Sequence, residues 1–250
     1  MMKIGALIFS RYDSSRLPGK ALRDIAGREL LGRVLDRAAM LSGVCEVVVA
    51  TSTRETDDVI VKYVHRQGHK TFRGDAENVA LRAVGACEQF GWDGFARICG
   101  DRPFFDPVIV DHAVTMFMSG EYDLVTTAGA YPLPPGLTVE ILRCSTLKAY
   151  LDDFSPANKE HLTSFFYEHL KKFAICYVNH PALSKMRFNT RLVVDDAADL
   201  SRAEWIATCI ASLGLEAHSD SKRVLKLACE WDANMSPPVK AVNGSPEPST

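Results

Sequence analysis

Ser10-Arg11-Tyr12-Asp13-Ser14-Ser15-Arg16-Leu17-Pro18-Gly19-Lys20 follows directly on the apolar run Ile4-Gly5-Ala6-Leu7-Ile8-Phe9. An apolar run of that length, ended by turn residues, predicts a buried first strand. The strand opens into a loop that gathers three cations, Arg11, Arg16 and Lys20, among serine and glycine residues. Ligands of open α/β sheets bind outside the carboxyl ends of the strands. Backbone N–H groups of a Ser/Gly loop, two guanidinium forks and a lysine point charge suit a polyphosphate. The loop is not a Walker A motif, because Gly19-Lys20 is followed by Ala21 rather than Ser or Thr. A solvated basic surface loop is the alternative, and the position right after a buried strand weighs against it.

The rest of the chain repeats the strand-then-helix rhythm. Leu30, Leu31, Val34, Leu35, Ala38 and Leu41 form a helical face within Leu22–Ser42, with Arg28, Arg33, Asp36 and Arg37 on the other side. A strand over Glu46–Thr51 follows. Ser52-Thr53-Arg54-Glu55 then reads as a capping box for a helix through Val59, Ile60 and Val64, closed by Gly68. Thr71–Asp75 reads as a polar loop into a helix from about Glu77 to Phe90, and Phe95–Cys99 as a strand ending in Gly100-Asp101. Asp106-Pro107 is an N-cap with a first-turn proline for a helix that stops at Gly120. Strands are expected at Leu124–Thr127, Val139–Leu142, Phe173–Val178 and Leu192–Val194, with Tyr131–Gly136 a proline-rich loop. Helices are expected at Asn158–Leu170, at Ala197–Leu213 behind an Asp196 cap, and at Ser221–Trp231. The pattern predicts βαβ units: an α/β fold with a mostly parallel central sheet and flanking helices. Residues 1–232 read as one domain and 233–250, rich in Pro, Ser, Gly and Asn, as a disordered tail.

Composition narrows the class. With 29 Lys and Arg against 31 Asp and Glu, the net charge of −2 gives no general case for nucleic acid or an anionic membrane. No apolar stretch reaches the ~18 residues of a membrane span. The first residues enter a strand without a signal-peptide pattern, so a cytoplasmic protein is expected. Seven cysteines without any C-x-x-C read as reduced core thiols rather than a disulfide framework or zinc site.

Two aspartates stand where chemistry is expected. Asp101 and Asp195 each follow an apolar run, so both are expected at the sheet edge that carries the basic loop. Two such carboxylates suit a Mg²⁺ that also bridges phosphate oxygens. Helix capping is the commoner use of a strand-end aspartate, but Asp106 and Asp196 already fill that role. Arg73 and Asn78 precede a helix that Asn78 is able to cap; Glu140 lies in an apolar strand, and His161 opens another helix. Neither H-E-x-x-H, G-x-S-x-G nor G-x-G-x-x-G occurs.

The segment Arg11–Lys20, continuing through Ala21-Leu22 to Ile25-Ala26-Gly27, resembles the signature loop of the CTP-dependent sugar-acid cytidylyltransferases, a group that includes 3-deoxy-manno-octulosonate and acylneuraminate cytidylyltransferases. Further motifs are similar to the spore coat polysaccharide biosynthesis protein F branch of that family. They are Gly74-Asp75-Ala76-Glu77-Asn78-Val79, Gly100-Asp101-Arg102-Pro103, Gly136-Leu137-Thr138-Val139-Glu140, Glu160-His161-Leu162-Thr163, and Val194-Asp195 through Asp199-Leu200. The resemblance implies a nucleotidyltransferase fold related to A-type glycosyltransferases, a homodimer, and transfer of CMP from CTP with release of pyrophosphate. It implies that Arg11, Ser14, Ser15, Arg16 and Lys20 hold the triphosphate and Asp101 with Asp195 the Mg²⁺. Arg16, Lys20 and Asp101 would be catalytic, Arg73 and Asn78 would touch base or ribose, and Arg102, Glu140 and His161 would face a sugar-acid-like acceptor. This sequence departs from the branch at Arg102, Phe104, Phe105, Pro135 and Thr138, all on the acceptor side. A glycosyltransferase using a nucleotide sugar would carry a D-x-D motif, which Asp101-Arg102-Pro103 lacks. A non-catalytic nucleotide-binding subunit is the third alternative.

Overall fold

The computed structural model describes residues 2–129, 133–179, 183, 189–214 and 220–235. Its centre is a seven-stranded sheet made of β1 (Ile4–Phe9), β4 (Val47–Ser52), β5 (Lys70–Gly74), β6 (Gly94–Cys99), β7 (Leu124–Thr126), β8 (Glu140–Arg143) and β9 (Ile175–Tyr177). A separate two-residue hairpin, β2 (Asp24–Ile25) with β3 (Arg28–Glu29), lies between the basic loop and the first helix. The sheet order is β5-β4-β1-β6-β8-β7-β9, and only β8 runs against the others.

The helices are α1 (Leu30–Ala38), α2 (Asp58–Arg66), α3 (Val79–Phe90), α4 (Pro107–Met118), α5 (Cys144–Ala149), α6 (Pro156–Glu160), α7 (Ser164–Glu168), α8 (Ala197–Ser212) and α9 (Ser221–Met235). Alternate residues of each strand point to opposite faces. Ala6 and Ile8 of β1 pack with Leu31 and Leu35 of α1, Ile60 and Val64 of α2, and Ile206 of α8. Leu7 packs the other way, with Ala83 of α3, Leu147 of α5 and Phe166 of α7. Helices cover both faces, which explains why β1 and β4 read as continuous apolar runs rather than alternating ones. Among the described residues no helix is long and apolar enough to cross a membrane.

Several caps follow the sequence. Asn78 accepts from the Leu81 amide at the start of α3, Asp106 from Val108 at α4, and Asp196 from Asp199 at α8. Other segments differ from expectation. The Thr71–Asp75 stretch is largely strand β5, an edge strand whose polar residues are tolerated because only one side is paired. The Ser52 capping box does not form, since the Ser52 hydroxyl donates to Asp57 and a single 3-10 turn, Glu55–Asp57, precedes α2. Within Leu22–Ser42 the helix begins only at Leu30, and Arg37 is buried rather than solvated, donating 2.9 Å to the Phe105 carbonyl. The expected Asn158–Leu170 helix is broken at His161 into α6 and α7, because the Asn158 amide bridges to Ser164 and Glu168. Leu192–Val194 belongs to no strand; the Leu192 and Val194 amides donate to the Pro135 and Asp101 carbonyls. Cys87 of α3 and Cys144 of α5 are paired in a disulfide, contrary to the all-thiol expectation; their 57-residue separation gave no motif to read. Helix α9 runs past Trp231 to Met235, and residues 236–250, like Tyr131 and Pro132 of the proline loop, lie outside the described residues.

Candidate active site

Four parallel strands deliver their exits to one edge. The exits of β1 and β6 touch: the Gly100 amide donates 2.8 Å to the Phe9 carbonyl. A Cβ on Gly100 would stand 3.0 Å from that carbonyl and 2.9 Å from the Ser10 Cβ, so glycine is what lets Asp101 come this close to the basic loop. The loop closes on itself, with the Tyr12 carbonyl accepting from Ser14 and from Gly19 at 3.0 Å each. Gly19 makes that turn at φ 68°, a left-handed conformation that side chains disfavour.

An open cleft of about 420 Å³ lies over this edge. Arg11, Ser14, Ser15, Arg16, Lys20, Asp101 and Asp195 all line it, so the structure brings together the loop residues and both aspartates read from the sequence. Lys20 Nζ lies 2.9 Å from Asp101 Oδ2, 3.0 Å from Asp195 Oδ1 and 2.9 Å from the Val194 carbonyl. Asp195 also meets Arg16 at 3.1 Å and Arg191 at 2.6 Å. Burial alone would raise the Asp195 carboxyl, but the neighbouring Lys20, Arg16 and Arg191 outweigh it and hold the group below its ordinary value.

The other predicted residues sit elsewhere. Arg73 turns away from the cleft to clasp the Ser52 and Arg54 carbonyls and pairs with Asp58 at 2.7 Å. Asn78 caps α3 while its neighbours Glu77 and Val79 line the cleft. Glu140 is buried, held 2.7 Å from Arg97 and 2.8 Å from the Tyr167 hydroxyl. Arg102 donates to the Thr138 carbonyl and hydroxyl at 2.8 and 3.0 Å. His161 is exposed at the end of α6, beside Glu160, which does reach the cleft and faces Arg11 at 3.9 Å.

Three participants were not read from the sequence. Arg82 of α3 is almost wholly buried yet lines the cleft, donating to the Asp75 and Ala76 carbonyls. Burial, with Arg11 close by, lowers its pKa to about 10. A cation in the first turns of a helix opposes the macrodipole, and that was the available signal. Arg54 spans Asp13 and Glu77 across the mouth. Asp57 accepts from the Tyr12 amide at 2.7 Å and anchors the loop from beneath.

Residues 5–218 match the family described as "Cytidylyltransferase". The chain belongs to the cytidylyltransferase family. It is 30% identical over 192 residues to the spore coat polysaccharide biosynthesis protein SpsF of Bacillus subtilis, covering 73% of this chain and 72% of that one. An 8-amino-3,8-dideoxy-manno-octulosonate cytidylyltransferase of Shewanella woodyi is 34% identical over 159 residues, 61% of this chain and 58% of its own. The solved structure of a cytidylyltransferase from Leptospira borgpetersenii superposes with a TM-score of 0.83 at 26% identity, covering 93% of this chain and 96% of its own. The fold is accordingly the nucleotidyltransferase α/β fold.

For this cytidylyltransferase the cleft's charge is informative. Five cations line it, Arg11, Arg16, Lys20, Arg54 and Arg82, and five carboxylates, Asp13, Glu77, Asp101, Glu160 and Asp195. Each carboxylate pairs with one of those cations. Among the described residues no cluster of three His, Cys, Asp or Glu forms a metal cage. Two carboxylate oxygens converging on one cation do fit Mg²⁺, which keeps several waters and takes its remaining ligands from phosphate.

Proposed function

We propose that this cytidylyltransferase transfers CMP from CTP to a hydroxyl of a sugar acid, with Mg²⁺ held by Asp101 and Asp195, in the synthesis of a surface polysaccharide. The convergence of those two carboxylates beside the basic loop carries the reading. The neutral cleft supports the metal: a triphosphate brings several negative charges that its walls alone do not balance. The sugar acid is supported by the names of the relatives and by the acceptor side of the chain. There Arg102 and Thr138, two departures from the related branch, touch one another. Arg102 lies within ion-pair distance of no described carboxylate, although its charge helps hold the buried Glu140 carboxyl below its ordinary value, and its remaining donors suit an acidic acceptor.

The reaction needs position and charge more than covalent help. The acceptor oxygen bonds the α-phosphorus, the bond to the bridging oxygen breaks, and pyrophosphate leaves with that electron pair while the hydroxyl proton passes to solvent. Arg11, Arg16 and Lys20 hold the phosphates in line and neutralise charge on the departing pyrophosphate. Ser14 presents its hydroxyl, its N–H being held by the Tyr12 carbonyl, Ser15 presents its N–H and hydroxyl, and Arg82 fixes the floor of the cleft through the Asp75 and Ala76 carbonyls. Mg²⁺, when bound, supplies Lewis-acid neutralisation and lowers the pKa of the attacking hydroxyl.

The test is a thermal-shift panel of CTP, ATP, GTP and UTP with and without Mg²⁺, followed by pyrophosphate release with acidic and neutral sugars. A nucleotide at ~100 times its Kd stabilises by about 2.7 kcal/mol. A CTP-selective, Mg²⁺-strengthened shift and acceptor-dependent pyrophosphate are expected. Arg102→Ala should lower kcat/KM for acidic acceptors alone. No shift with any nucleotide would reject the reading.

A further inference from the structure

Lys20 stands on the spot that a metal shared by Asp101 and Asp195 would take. An ammonium has three donors, and all three are engaged, on Asp101 Oδ2, Asp195 Oδ1 and the Val194 carbonyl, at 2.9 to 3.0 Å. The side chain is 15% exposed, enclosed between carboxylates that are themselves 24% and 18% exposed. The same ammonium cannot donate to a phosphate without giving up at least one of these bonds. Nor can a divalent cation sit between the two carboxylate oxygens while an ammonium lies within 3.0 Å of both, since like charges at that range repel strongly.

We propose that Lys20 is an exchangeable internal counter-ion that couples nucleotide binding to metal binding. Before nucleotide arrives, its ammonium keeps the two carboxylates together and blocks a divalent cation. A triphosphate draws the ammonium away, and the carboxylates then accept the metal. Val194, whose carbonyl takes the third bond, connects this exchange to the segment that leads into α8. Linkage makes the effect reciprocal: whatever factor the triphosphate contributes to metal affinity through Lys20, the metal returns to the triphosphate. Arg16 cannot serve the same role, because it is 63% exposed and reaches only Asp195.

The inference rests on the nucleotide–Mg²⁺ reading, and the experiment separates the two. Mn²⁺ alone, followed by the electron paramagnetic resonance of the free ion, is titrated into wild type, Lys20→Met and Arg16→Met. Lys20→Met should bind Mn²⁺ about 5–150-fold more tightly than wild type, the usual range of a coupling between sites, and Arg16→Met should tighten it far less. Lys20→Gln, which keeps a donor for the Val194 carbonyl, should repeat the result and replaces Lys20→Met if that variant does not fold. Unchanged or weaker Mn²⁺ binding in the lysine variants would overturn the proposal, and so would equal tightening in Arg16→Met, which would reduce the effect to net charge. A wild type that shows no CTP shift would instead remove the nucleotide reading beneath it.

Discussion

Replacing Asp57 by Asn should loosen the cleft loop without touching a residue that lines it. Asp57 is fully buried between β4 and α2. One carboxylate oxygen accepts from the Tyr12 amide at 2.7 Å; the other accepts from the Ser52 amide at 3.0 Å and from the Ser52 hydroxyl. Asparagine offers one acceptor oxygen and one NH₂, so in either orientation a donor faces a donor. The loss combines a charge-assisted bond with an unsatisfied buried N–H, about 2–5 kcal/mol together. For a protein of this size that lowers Tm by roughly 5–15 °C. Because the Tyr12 amide begins the loop, nucleotide affinity should fall roughly tenfold as the loop loses its register. Burial pushes the Asp57 carboxyl up, but the Ser52 and Tyr12 hydrogen bonds more than offset this, so its folded value lies below the ordinary one. A depressed carboxyl contributes stability above its unfolded value of about 4, lost as pH falls through the folded value. The Tm gap between wild type and Asp57→Asn should thus be constant from about pH 5 to pH 8 and narrow below about pH 4. Melting curves across pH, with a CTP titration at pH 7.5, check this. A variant that melts with wild type at neutral pH would show that the carboxylate does not anchor the loop.

Other consequences are tested more briefly. Asp101→Asn and Asp195→Asn should each reduce kcat for pyrophosphate release by roughly 10²-fold or more while the protein stays folded; a loss under tenfold in both would remove the pair from catalysis. Glu140→Leu leaves the Arg97 guanidinium buried without its partner, at about 3–5 kcal/mol. Urea denaturation should show that loss, and the double variant Arg97→Met, Glu140→Leu should recover most of it. Ala26 sits at φ 50° in the β2–β3 turn, so Ala26→Asn should stabilise the protein by up to about 1 kcal/mol; a lower denaturation midpoint would contradict the strain.

The fold was legible wherever local pattern and tertiary role agree. β1 and β4 are buried on both faces and announce themselves as apolar runs, and α3, α4 and α8 carry their own caps in Asn78, Asp106 and Asp196. The misreadings share a cause, which is a side-chain partner that a local pattern does not specify, near in sequence for Ser52 and distant for Arg37. Ser52 looked like a cap until Asp57 took its hydroxyl, and Arg37 looked solvated until the Phe105 carbonyl received it. In the site the split is the same. Arg11, Arg16 and Lys20 were visible because one loop collects them, and Asp101 and Asp195 because each ends an apolar run. Arg73 was misplaced because its strand ends beside the cleft while its side chain serves the Ser52 and Arg54 carbonyls. Arg82 was missed because it lies inside a helix, where a lone arginine reads as surface.

A cleft whose carboxylates are each already paired with a lining cation does not attract a polyphosphate by net field alone. Binding there exchanges partners: the phosphates must offer Arg11, Arg16 and Lys20 better acceptors than Glu160, Asp195 and Asp101, and the released carboxylates must then find another cation. Simple anions that bring no metal would leave Asp101 and Glu160 without their cations and Asp195 with Arg191 alone, whereas a metal-bound triphosphate would satisfy both halves at once. On the proposed reading the arrangement would favour a metal–nucleotide complex over a bare anion of equal charge, and it would do so with residues whose separation in sequence, from Arg11 to Asp195, hides the pairing until the sheet edge brings them together.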